Sequence, residues 1–160
     1  MPYIMTDYSI LCEQLQSLAE SERLWLPVLS NAASLLYTTM KKLNWAGFYL
    51  EERGSLVLGP FQGKPACVRI PYGKGVCGTA WELEKVMRIS DVHTFPGHIM
   101  CDSDSVSEIV LPIRKNGKVV GVLDIDSPVK DRFSEQDEEG LLQFVRVLEE
   151  NTDWRKSSFS

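Results

Sequence analysis

The chain has 160 residues, 44% of them hydrophobic and 24% charged, with a formal net charge of −5, which suits one domain able to bury a core without disulfide staples. No apolar run approaches the ~20 residues of a membrane span and no basic stripe is present to neutralise phosphates, so neither a membrane nor a nucleic acid is expected as the main partner. Its start, MPYIMTDYSI, lacks the basic and apolar regions of a signal peptide, and the expectation is a cytoplasmic protein whose four cysteines serve redox chemistry rather than a structural framework.

In chain order, Asp7 can cap a helix in which Tyr8, Leu11, Leu15 and Leu18 recur at helical spacing. Cys12 falls on its apolar side, a core position for a thiol. A second helix is expected from near Pro27, a residue tolerated in a first turn, through Val28, Ala32, Leu35, Leu36 and Thr39 towards Lys42. The periodicity then changes. NWAGFYL, Asn44 to Leu50, reads as an aromatic strand that turns at EERGS into a partner at Leu56 to Leu58. Short strands follow at Cys67 to Ile70 and Val86 to Ile89, joined by a helical turn around Gly78 to Glu84. Asp91 to Ser107 shows no regular pattern, and a loop of that length in a compact domain is usually functional. The last helix is capped by Ser134, with Glu135 and Asp137 in its first turn, Leu141, Phe144, Val145 and Leu148 buried, and the acidic run EQDEEG as its solvated face. Two helices, a meandering antiparallel sheet and a final helix make an α+β fold, a single domain over residues 1–160 with its core from about 26 to 150.

The segment SEIVLPIRKNGKVVGVLDIDS is a hairpin turning at Asn116-Gly117. A plain two-residue loop would pair Ile109 with Asp124 and Glu108 with Ile125, mixing apolar and acidic residues on both faces. A three-residue loop with Gly117 left-handed shifts the register by one and puts Ile109, Leu111 and Ile113 on one face with Val119, Gly121, Leu123 and Ile125. Glu108 then lies across from Asp124, with Asp126 on the same side. Acidic residues at strand ends are in the plainest case solvated. Three converging carboxylates, however, raise at least one pKa unless a metal, a lysine or a substrate ammonium sits among them, and a carboxyl kept protonated can act as a general acid.

Cys67, Cys77 and Cys101 lie in a Gly/Pro-punctuated stretch, the last two within GKGVCGTAWE and FPGHIMCDSDS. Thiols in polar, glycine-rich loops are within reach of a substrate or oxidant. His93, His98 and Cys101 are spaced H-x4-H-x2-C, which matches no common zinc finger, and no C-x2-C pair is present; no metal is expected. GKGVCG lacks the G-x-G-x-x-G spacing and the βαβ setting of a dinucleotide site. The histidines are read as residues that orient the loop or lower a neighbouring thiol pKa.

NWAGFYL, LGPFQGKPACVRIPYGKGVCGTAW, DVHTFPGHIMCDSDSVSEIVLPI and GVLDIDSP resemble the free methionine-(R)-sulfoxide reductases, a branch of the GAF-domain superfamily, from about Asn44 to Leu142. Met100 departs from the resemblance, which favours a small residue before the cysteine. The resemblance implies a single GAF-like domain with a central antiparallel sheet flanked by N-terminal helices and a C-terminal helix. It implies Cys101 as nucleophile, Cys67 as resolving thiol and Cys77 as an auxiliary. Glu108, Asp124 and Asp126 fall on substrate-holding positions, and Trp45 and Tyr49 on positions lining the methyl sulfoxide pocket. It further implies reduction of the free amino acid, with thioredoxin as external reductant, no cofactor, and a homodimer as in many GAF proteins. The alternative is a non-catalytic GAF sensor of a small ligand or of redox state.

Overall fold

A computed structural model of the protein describes residues 5–99 and 101–154. Alternation along one strand sorts it into two layers. In β1 (Trp45–Glu52), Ala46, Phe48 and Leu50 point into one apolar cluster, and Trp45 and Tyr49 into another. The first cluster is covered by α1 (Tyr8–Ser21), α2 (Trp25–Thr39) and a C-terminal helix, Glu135–Asn151. The second packs under a short helix, α3 (Gly75–Leu83). With β2 (Ser55–Gly63), β3 (Arg69–Pro71), β4 (Met87–Ile89), β5 (Ser107–Lys115) and β6 (Lys118–Ser127), the antiparallel sheet has the order β3-β2-β1-β6-β5-β4. This is not one continuous meander: two three-stranded meanders are joined where β1 pairs with β6.

Most elements fall where the residue pattern placed them, with shifts that have local causes. Asp7 caps α1 by accepting from Ile10 N at 3.1 Å, and Leu11, Leu15 and Ala19 are its buried side, whereas Leu18 is 39% exposed. Cys12 packs half-buried against the main core. The second helix begins at Trp25, so Pro27 sits inside its first turn, and it stops at Thr39, short of Lys42, whose φ is 64°. The strands expected at Cys67 and Val86 begin later, at Arg69 and Met87. The helical turn expected at Gly78 begins at Gly75 and is closed by Glu84 in the left-handed region, φ 53°. The long loop from Asp91 holds one turn of 3-10 helix, Val92–Thr94. Met100 lies outside the described residues.

The hairpin corrects the expected register. Asn116 and Gly117, with φ 54° and 75°, form a two-residue loop in which Lys115 faces Lys118. The shift comes from a bulge at Val120: Arg114 pairs with Val119 and Ile113 with Gly121. Glu108 consequently faces Asp126 and not Asp124, which faces Val110. The inward face is the expected one, because a bulge and a three-residue loop both restore the same parity.

The acidic run opening the C-terminal helix, α4 (Glu135–Asn151), is not wholly solvated. Asp137 is 1% exposed. It completes a capping box with Ser134 and pairs with the buried Arg132 at 3.0 Å. It also accepts from the Tyr8 hydroxyl at 2.7 Å, tying α1 to α4. Gly140 permits this approach, since a Cβ there would overlap the Tyr8 ring. Gly140→Ala is therefore expected to lower stability by about 1–3 kcal/mol despite alanine's better helix propensity, measured as a lower denaturation midpoint.

Candidate active site

The second apolar cluster is open on one side, and there the thiols and acids meet. A cavity of about 40 Å³ is lined by Trp45 and Tyr49 from β1, Cys77 from α3, His98, Cys101 and Asp102 from the long loop, Glu108 from β5, and Asp124 and Asp126 from β6. The sheet register makes this happen. Trp45 faces Asp126 and Gly47 faces Asp124 across the β1–β6 pair, while Glu108 faces Asp126 across β5–β6.

Cys67 and Cys101 form a disulfide with a Cα–Cα distance of 5.4 Å. Both are half-buried. It joins the segment after β2 to the long loop, and two aromatic side chains hold that segment in place. Trp45 Nε1 donates to Lys64 O at 3.1 Å and the Tyr49 hydroxyl donates to Cys67 O at 2.9 Å. Trp45 also stacks on Tyr49 and Phe61, with centroids 5.9 and 5.2 Å away. Lys64 Nζ meets Asp104 Oδ2 at 2.6 Å, a second tie between the same two segments.

Cys77 differs from the loop thiol expected. It lies in the first turn of α3 and is 4% exposed. A helix N-terminus favours a thiolate, but here burial, followed by the charges of Asp124, Glu108 and Asp126, pushes its pKa well above the ordinary value. Cys77 is held as a thiol. Gly75 lets α3 start at this point, because its φ of 64° suits glycine and a Cβ there would crowd Ile99 at 3.1 Å.

Burial is also the first cause of the raised carboxyl pKa values. Glu108 and Asp126 are pushed well up by desolvation, then by the charge of Asp124. Asp124 is raised by burial, an effect partly offset by its neighbours Glu108, Cys77, His98 and Asp126. Of the three, Asp124 is the readiest to be an anion and the other two are its proton-bearing neighbours. Burial lowers the pKa of His98, whose Nε2 stands 3.9 Å from Glu108 Oε1. A neutral imidazole facing a protonated carboxyl at that distance is neither an ion pair nor a hydrogen bond. His93 is outside the cavity, exposed and hydrogen-bonded to Asp91.

Two contributors were not singled out from the sequence. Asp102 lines the cavity and accepts from Asn44 Nδ2 at 3.0 Å; the same amide donates to Ser105 Oγ at 3.0 Å, fixing the turn after Cys101. Asp102 directly follows the cysteine, which was its only signal. Asn44, one residue before β1, stood only as the first residue of the NWAGFYL segment.

A family model for the GAF domain matches residues 8–150. The free methionine-R-sulfoxide reductase of Escherichia coli (strain K12) is 53% identical over 152 residues, 93% of this chain and 92% of its own. The chain belongs to the free methionine-(R)-sulfoxide reductase family. Among solved structures of the family, the reduced fRMsr of Staphylococcus aureus superposes with a TM-score of 0.91 at 49% identity, over 96% of this chain and all of its own. The same protein in complex with substrate gives 0.90 at 48% identity over the same shares.

Proposed function

We propose that this reductase converts free methionine-(R)-sulfoxide to methionine, with Cys101 as nucleophile, Cys67 as resolving thiol and Cys77 as an auxiliary thiol. The observation that carries this reading is the Cys67–Cys101 disulfide beside a cavity floored by Glu108, Asp124 and Asp126. A sulfoxide oxygen leaves sulfur readily only when protonated, and Glu108 and Asp126 are the carboxyls that keep protons where ordinary ones lose them. Cys101 sulfur attacks the substrate sulfur, the S–O bond breaks, and oxygen passes to cysteine as the sulfenic acid while methionine leaves reduced. The thiol of Cys67 then displaces water from the sulfenic acid and closes the disulfide. An external dithiol reduces it by exchange.

Trp45 and Tyr49 offer the S-methyl group an apolar wall. The negative charge of Asp124 favours the α-ammonium of a free amino acid, which a residue within a polypeptide lacks. The long loop carries the nucleophile and excludes water. Thioredoxin is the proposed reductant and the cytoplasm the proposed compartment, with no cofactor in the cycle. No helix among the described residues is long and apolar enough to cross a membrane. A homodimer through α1 is part of the same reading, supported by the exposed Ile10 and Leu18 on that helix.

The test is turnover with a thioredoxin recycling system on three substrates: the free R sulfoxide, the free S epimer and a protein-bound R sulfoxide. Only the first is expected to be consumed. Equal consumption of the protein-bound form, or of none by folded and reduced protein, overturns the assignment.

A further inference from the structure

Cys77, the thiol that the proposed cycle uses least, stands in surroundings that suit a different ligand. Its Sγ and one carboxylate oxygen each of Glu108 and Asp124 lie within 4.8 Å of one another, and all three residues are buried. Asp124 is 6% exposed, lines the cavity, and its Oδ1 has no hydrogen-bond partner. His98, with its side chain 13% exposed, holds Nε2 at 3.9 Å from Glu108 Oε1. A thiol and two carboxylates thus converge in the cavity, with an imidazole beside Glu108.

From this arrangement we infer that the disulfide form binds a single thiophilic divalent cation of the Zn2+ type through Cys77 Sγ, Glu108 and Asp124, with His98 closing a fourth position. At Zn–S near ~2.3 Å and Zn–O near ~2.0–2.2 Å, neighbouring tetrahedral donors stand about 3.3–3.6 Å apart. Side-chain rotations that close the triad by little more than about 1 Å complete such a site. The soft sulfur selects Zn2+ over Mg2+ or Ca2+, which prefer all-oxygen shells. The dication takes the place of the protons that burial keeps on this cluster, and those of the Cys77 thiol and the Glu108 carboxyl leave to solvent as the ligands coordinate. With Cys67 and Cys101 joined, Cys77 is the one pocket thiol; the other free cysteine, Cys12, lies on α1. Such a metal occupies the acids that the sulfoxide needs, so it inhibits. That consequence rests on the proposed reductase reading, whereas the binding itself does not.

The experiment titrates the full-length chain in its disulfide form, freed of metal by chelator, with Co2+ as the spectroscopic stand-in for Zn2+. Uptake of one Co2+ per chain is expected, with a thiolate-to-cobalt charge-transfer absorption that added Zn2+ removes. Cys77→Ala abolishes the absorption and weakens binding roughly tenfold or more. Asp124→Asn keeps the absorption and weakens binding, and Cys12→Ser changes neither. The inference is overturned by an absence of stoichiometric uptake, by an absorption that persists in Cys77→Ala, or by wild-type affinity in Asp124→Asn. Each outcome is read from the metal, so it stands apart from any turnover assay.

Discussion

With excess free methionine-(R)-sulfoxide and no reductant, Cys67→Ser protein is expected to release about one equivalent of methionine per chain and then stop. Cys101→Ser releases none on that timescale, its first turnover slowed on the order of 10⁴-fold or more, as befits loss of an attacking atom. The contrast separates making a sulfenic acid from disposing of it. The nucleophile must reach the substrate sulfur, and Cys101 lines the cavity on a loop that can carry it there. Cys77 lines it too, but from a helix, buried, with its pKa raised. Rapid quench with quantified methionine, together with sulfenic-acid trapping and mass spectrometry, reads both events. An intact burst in Cys101→Ser would transfer the attack to Cys77.

Glu108→Gln is expected to lower kcat by about 10²–10⁴-fold with KM little changed, the contribution typical of a positioned general acid. Glutamine keeps the size and offers a donor, but has no proton to transfer. Wild-type rates should fall as pH rises through the elevated range of Glu108 and Asp126, and the substitution should remove much of that limb. Stability follows the same pH trend. The folded chain retains protons that the unfolded chain, with its ordinary carboxyls, has released, so folding weakens as pH rises from the ordinary glutamate value of 4.5 through the raised one. Below 4.5 both states are protonated and the loss vanishes. Glu108→Gln should therefore melt above wild type at neutral pH and with it at acid pH. Lost activity with an unaltered pH profile and melting temperature would move the acid to Asp126.

The layers were legible because alternation is local. Residues 45–50, 109–113 and 121–125 each declare an inward face, and parity alone brought Glu108, Asp124 and Asp126 together. Which carboxylate faces which was not legible, because the bulge at Val120 reverses the direction of the shift without altering parity. The start of α3 was hidden by glycine, a poor helix former in general, which is tolerated at Gly75 because that position needs a positive φ and space for Ile99. Pairing of Cys67 with Cys101 came from resemblance; three thiols in a loop-rich stretch leave the partners open. The neutral His98 beside Glu108 and the Lys64–Asp104 tie depend on how the long loop folds back, which no periodicity encodes.

The seam between β1 and β6 has a bearing on biosynthesis. Trp45 and Gly47 come off the ribosome well before their partners Asp126 and Asp124. A chain not yet extended through β6 thus owns its thiols and Glu108 before it owns Asp124 and Asp126, which complete the acid cluster. The reactive centre lies where the two meanders meet, so it is complete only when the sheet is. Competence is in this way certified by folding: a truncated or nicked chain that fails to close the seam carries cysteines of ordinary temper, without a pocket to aim them.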